Sequence, residues 1–453
     1  GEDLRLTHGV SHTPERGAGS SEVLDDLHCR RFGSRQIVEI SQTVVPGSDA
    51  VQFGATITTM NTTSSFSRDS RAAWLLAGVE LFFSLSWVVY VIFLPELLQR
   101  GGVDKRYLPW LLAADQLLFA LADWSMGVAV DRARAALRRI GPMLVLLSAV
   151  SALAMLLLPW LSGMPMLFLL MTGLWVATSS ALRAPPYVLL SRYAGRSSVA
   201  GLAGIQLLGL AVASALAPYL GMLLKGVDPA LPFLFSALAV GLSASALVYV
   251  ERLQPPSQPI VADAQPARVG AAGRRGWAWL LLLVLLLAFG QQVHTAINAA
   301  AQFRRLADPE VLPWLLPVFW VGFSFGLLLV DRLVRARGTL WVLQLACVAG
   351  ALTLSVAAIA VSLPLLVLSQ FVAGFFWGFI LCALIGFAVE RGQPLRTGRH
   401  TGMLMATLAV AAMSRLGLTA SGAVAAGSLL EWLPVIVWGL VAVFLVRRGA
   451  SSE

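Results

Sequence analysis

Lysine is nearly missing from this chain: Lys105 and Lys225 are the only two, and the remaining basic side chains are arginine. Charge of any kind is scarce, with Asp, Glu, Lys and Arg at 13% against about 25% in a typical soluble domain. That scarcity excludes a single water-soluble core. Cysteine is limited to Cys29, Cys347 and Cys382, whose spacing allows neither a disulfide framework nor a zinc site. Phosphate-cradling glycine loops and nucleophile elbows are missing too. The sequence therefore offers nothing for an ATP-driven pump, an enzyme, a metal or another cofactor. A net charge of +9 could suggest nucleic acid, but the arginines fall in short segments between apolar runs, which is a membrane-topology signal.

What is abundant is apolar sequence, 57% of the chain. Twelve runs approach the ~20 residues that cross a bilayer: 72–99, 107–130, 140–161, 165–190, 198–224, 231–250, 276–300, 311–330, 339–361, 363–389, 401–427 and 431–447. The Pro-, Gly- and Ala-rich stretch 251–275 reads as a linker between two halves. The expectation is an all-α polytopic membrane protein with twelve transmembrane helices in two pseudo-symmetric six-helix bundles, 72–250 and 276–448. A polar, disordered tail is expected over 1–71, with Met60 as a possible natural start, and a short tail over 449–453. Arginine collects on one side of the spans, for example Arg132 to Arg139 and Arg332 to Arg337. Both termini should then be cytoplasmic, in a bacterial inner membrane.

The segment after the second span reads DWSMGVAVDRARAALRRIGP, residues 123–142. Asp123, Gly127 and Asp131 share a helical face, Arg132 follows, and a weaker echo, VDRLVRARG, surrounds Asp331 and Arg332. This pattern resembles the loop signature of the major facilitator superfamily of transporters. Its longer form is similar to the sugar–cation symporter branch (glycoside–pentoside–hexuronide, melibiose and sucrose carrier relatives), with Trp124 where that branch has proline. The resemblance implies two rocking halves, and gating roles for Gly127, Asp131, Arg132, Asp331 and Arg332.

Charges at membrane depth cost about 2.5–3.5 kcal/mol each on insertion scales, so each needs a reason. Glu80 leads a stripe with Ser84 and Trp87, and Asp115 and Asp123 lie in the second span. These three carboxylates are the candidates for carrying a coupled proton. In the resembling symporters the position of Asp123 helps build a cation site, while a further acidic position is Phe119 here. Pro185, Tyr187 and Leu189 resemble a fourth-span segment of the same branch, but Arg183 replaces its acidic cation ligand. A guanidinium cannot ligate sodium, so Arg183 is expected to pair with Asp123 or Asp115, or to bind an anionic solute. Gly204, Ala213, Ala217, Pro218 and Gly221 resemble a motif of drug–proton antiporters.

In the seventh span Gln291, His294, Thr295, Asn298 and Gln302 fall on one helical face, after Gly290, which could break the helix. Gln370, beside Phe375, Phe376 and Trp377, and Arg415 add polar groups to the tenth and eleventh spans. Glu80, Asp115, Arg183, Gln291, His294, Asn298, Gln370 and Arg415 are the candidate substrate-binding set. The expected function is secondary active transport of a small polar solute, sugar-like or an organic anion, by a proton-coupled monomer using alternating access. A proton-coupled exporter of amphipathic compounds and a non-transporting membrane sensor or assembly factor are the alternatives.

Overall fold

The computed structural model describes residues 27–31, 34–44, 51–60, 62–135, 140–190, 199–253, 271–390, 396–422 and 428–450. Most of the expected linker, most of the final tail, and Arg138, Arg139, Arg192, Arg196 and Arg391 lie outside them. The chain divides into two units, Gly1–Ser67 and Arg68–Glu453. In the first, β1 (Leu27–Arg31), β2 (Ser34–Val44) and β3 (Val51–Met60) form an antiparallel sheet in that order. The sequence assigns no regular element there, although the Val-, Ile- and Thr-rich stretches of β2 and β3 suit strands.

The described elements of the second unit are helical. Among the described residues, twelve helices are long and apolar enough to cross a membrane: α1 Arg71–Arg100, α2 Lys105–Ala133, α3 Gly141–Leu161, α4 Pro165–Leu189, α5 Val199–Leu223, α6 Ala230–Arg252, α7 Gly276–Arg304, α8 Pro309–Arg337, α9 Thr339–Ala358, α10 Leu363–Val389, α11 Thr397–Ala420 and α12 Leu429–Arg447. The sequence places the eleventh span over 401–427; the helix starts earlier, at a polar first turn that apolar patterning passes over, and it ends before Gly422, whose φ is +73°.

Each half packs within itself, α3 against α6 and α9 against α10 and α12. The halves meet where α2 runs along α11 and α5 along α8. Small residues make these seams possible. A Cβ on Gly127 would strike the Gly398 carbonyl, and one on Gly402 would lie 2.5 Å from the Asp123 carbonyl. On the other seam, a Cβ on Gly204 would lie 2.6 Å from the Leu327 carbonyl. Lys105 and Lys225 are both exposed, at the end of the helices opposite these glycine contacts.

Two helices are interrupted near the centre. In α4 a 3-10 turn, Ser180–Leu182, precedes Ala184–Leu190, where Pro185 and Pro186 supply no N–H. Arg183 sits at the break, its backbone N–H donating to the Ser180 carbonyl at 3.0 Å. In α7 a π-helical turn spans His294–Asn298. Gly290 does not break α7. It admits the Trp438 ring, which Gly350 contacts from α9 and whose Nε1 donates to the Leu287 carbonyl at 3.0 Å.

Candidate functional site: a central cavity between the halves

A cavity of about 400 Å³ lies between the two halves. Glu80, Arg183, Gln291 and Arg415 line it, with Ser84 and Trp87 continuing the α1 stripe from Glu80. Six lining side chains are aromatic: Phe83, Trp87, Phe119, Tyr187, Trp320 and Trp377. In the sequence Trp377 stands out only as one of the aromatic residues near Gln370. Phe119 is recognisable only as the residue standing where relatives carry an acid.

Arg183 organises the floor. Its Nη1 lies 3.4 Å from Asp123 Oδ2, an ion pair without hydrogen-bond geometry, and Asp123 is fully buried. Of the two acids that could pair with Arg183, the structure selects Asp123. The guanidinium also lies over the Phe119 ring at 4.4 Å and the Phe83 ring at 5.9 Å, a cation–π arrangement. Glu80, buried on α1, lies within the field of Arg183 and faces Gln206 of α5. Gly209 makes that possible, since a Cβ there would strike the Ala77 carbonyl.

Arg415 enters from α11. Among the described residues no carboxylate pairs with it, and its Nε has no hydrogen-bond acceptor.

The other candidates lie outside the cavity lining. Asp115 is buried inside the N-terminal half, where the Tyr90 hydroxyl donates to Oδ2 at 2.8 Å. His294, Asn298 and Gln370 turn into the C-terminal half. His294 Nε2 is 2.9 Å from Gln370 Oε1, Gln370 Nε2 donates to Gln302 Oε1 at 3.0 Å, and Gln302 Nε2 is 3.4 Å from Glu431. Glu431 pairs with Arg305 at 2.6 Å, and Asn298 donates to the Leu430 carbonyl at 2.9 Å. The π-helical turn is the physical reason: it shifts the register after Gln291, so residues that share a face at regular helical spacing diverge. Gln291 stays in the cavity and donates to Thr295 Oγ1 at 3.2 Å.

Beyond the cavity, at the end of the basic loops, Asp131 accepts from the backbone N–H groups of Gly398 and Arg399 at 2.8 and 2.7 Å. Its carboxylate sits on the N-terminus of α11, where the helix dipole favours negative charge. Asp331 occupies the related place on the other seam: it packs on Gly201 near the start of α5 and pairs with Arg335. Arg132 and Arg332 are exposed.

Two six-helix halves enclosing a central cavity define the chain as an integral membrane protein of transporter architecture. The Major Facilitator Superfamily model matches residues 76–415, and the chain belongs to that superfamily. Among solved structures, it is similar to the human organic anion transporter MFSD10 (TETRAN), with a TM-score of 0.66 and 14% identity over 83% of this chain and 99% of that one. A bacterial homologue of the iron transporter ferroportin, in an outward-facing state, gives 0.65 and 13% over 84% and 99%. The E. coli fucose:proton symporter FucP gives 0.61 and 12% over 83% and 97%. At these identities the likeness is one of fold. Among curated proteins none matches the sequence significantly.

Proposed function

We propose that this protein is a proton-coupled secondary transporter that carries an amphipathic organic solute through the central cavity by alternating access, with its basic loops in the cytoplasm. The observation that carries the proposal is the cavity itself: both halves contribute walls, and it holds a buried carboxylate and an arginine with no acidic partner among the described residues. A sensor or assembly factor on this fold predicts a collapsed centre whose charges cancel, and the open cavity with Arg415 weighs against that reading. A sugar-like solute is disfavoured as well. His294, Asn298 and Gln370 are occupied with internal partners, and aromatic and aliphatic side chains dominate the lining. The similarity to a human organic anion transporter agrees in direction but carries only the fold.

Asp131 on the α11 N-terminus and Asp331 at Gly201 act as two related clasps that hold the basic-loop end shut. Reorientation opens both seams there. The test is sidedness of access. In a chain with its three cysteines replaced, Ser214→Cys in the cavity should react with an impermeant thiol reagent from the side opposite the basic loops. Adding Asp131→Asn should shift part of that reactivity to the basic-loop side. Access that never changes side, under any clasp variant or solute, rules out alternating access.

A further inference from the structure

The ionisable groups around the cavity balance in only two ways. On the N-terminal side, Arg183 of α4 pairs with Asp123 of α2. Glu80 of α1 shares the field of both and has Tyr187 of α4 and Gln206 of α5 as its uncharged neighbours. Asp115 is withdrawn from this group by Tyr90. On the C-terminal side Arg415 of α11 reaches the same cavity without an acidic partner among the described residues. Among the described ionisable groups of this side, His294 of α7, Glu431 of α12 and Arg305 just past α7 are joined through Gln370 and Gln302, away from the cavity, while Arg304 and Arg447 are exposed at the helix ends.

An empty cavity is neutral when Glu80 is ionised, because two carboxylates face two guanidiniums. An anion bound to Arg415 adds one negative charge, and protonation of Glu80 removes it. Either step alone leaves an unpaired charge in a low-dielectric site during reorientation, which is costly. The geometry points to a lipophilic monoanion as the substrate, its carboxylate or sulfonate held by Arg415 and its body among Trp87, Phe119, Trp320 and Trp377, moving together with one proton carried on Glu80. This rests on the reading of the cavity as the solute site. Carrier states with both passengers or with neither are neutral, and those with one are not.

The experiment uses the purified full chain in detergent and a panel of aryl and alkyl carboxylates and sulfonates, each paired with its neutral amide or sulfonamide. Thermal stabilisation reads binding, and a pH indicator in weak buffer reads proton uptake. Anions should bind more tightly than their neutral counterparts and take up about one proton per bound molecule. Arg415→Gln should weaken the anions about tenfold or more, the scale of a lost charge-assisted hydrogen bond, and the neutral compounds far less. Arg415→Lys should recover most of the anion preference. Glu80→Gln, which mimics the protonated acid, should tighten anion binding at alkaline pH and abolish proton uptake. Equal binding of anions and amides overturns the substrate class. Proton uptake that survives Glu80→Gln overturns the role of that carboxylate. If no compound of either kind binds, it is the cavity's role as solute site that fails.

Discussion

Arg183 serves three neighbours at once, and its replacement should show which dependence is strongest. Asp123 is fully buried with this guanidinium as its counter-charge. Arg183→Gln should therefore destabilise the protein by about 3–5 kcal/mol, the cost of stranding a buried charge. Adding Asp123→Asn should recover much of the loss, and a double-mutant cycle by detergent thermal unfolding measures it. Arg183→Lys keeps the charge but gives up the planar stacking on Phe119, and should fall between. Asp115 poses a simpler case. Tyr90→Phe preserves the ring packing against Trp175 but removes the donor to Asp115, so about 1–3 kcal/mol of stability should be lost, with little change in anion binding.

At the scale of helices, one chemical device appears twice with different consequences. Asp131, at the end of α2, caps α11 across the two halves. Glu251, at the end of α6, caps α3 within one half: its two carboxylate oxygens accept from Ile140 and Gly141 N–H groups, both at 2.8 Å. Glu251→Gln should cost about 1 kcal/mol of stability and leave sidedness of access unchanged. Asp131→Asn should instead shift the balance between conformations, which the thiol-access measurement separates from a stability loss. Asp131 is visible in the sequence through its spacing from Gly127 and Asp123. The backbone N–H groups that donate to it are not, because RTGRHTG is polar and hydropathy starts the eleventh span too late. The α7 residues show a related limit. Their polarity marks them in an apolar run, but the π-helical turn at His294–Asn298 breaks the periodicity from which a common face is read. Gln291 consequently keeps the cavity while His294 and Asn298 leave it.

For the whole molecule, the twelve spans and their pairing into halves follow from the length and spacing of apolar runs, and the superfamily from the 123–142 segment. The cavity lining was less legible, since an aromatic side chain in a span looks the same whether it faces a neighbouring helix or an empty space. Trp377 and Phe119 belong to the second kind. The seams carry the largest mechanical prediction. Gly127→Leu places a side chain into the Gly398 carbonyl and cannot be relieved by a rotamer change. It should hold the basic-loop end open and cost about 1–3 kcal/mol or more in the closed form, read as thiol reactivity at Ser214→Cys from the basic-loop side.

The two lysines have a practical consequence. Both stand exposed at the same end of the helices, Lys105 at the start of α2 and Lys225 after α5. The protein thus carries its own one-sided pair of amine handles: an impermeant amine reagent applied to sealed vesicles finds lysine from one face and none from the other. Mass-spectrometric counting of tagged lysines then reports which way each population of vesicles holds the carrier, without a single engineered residue.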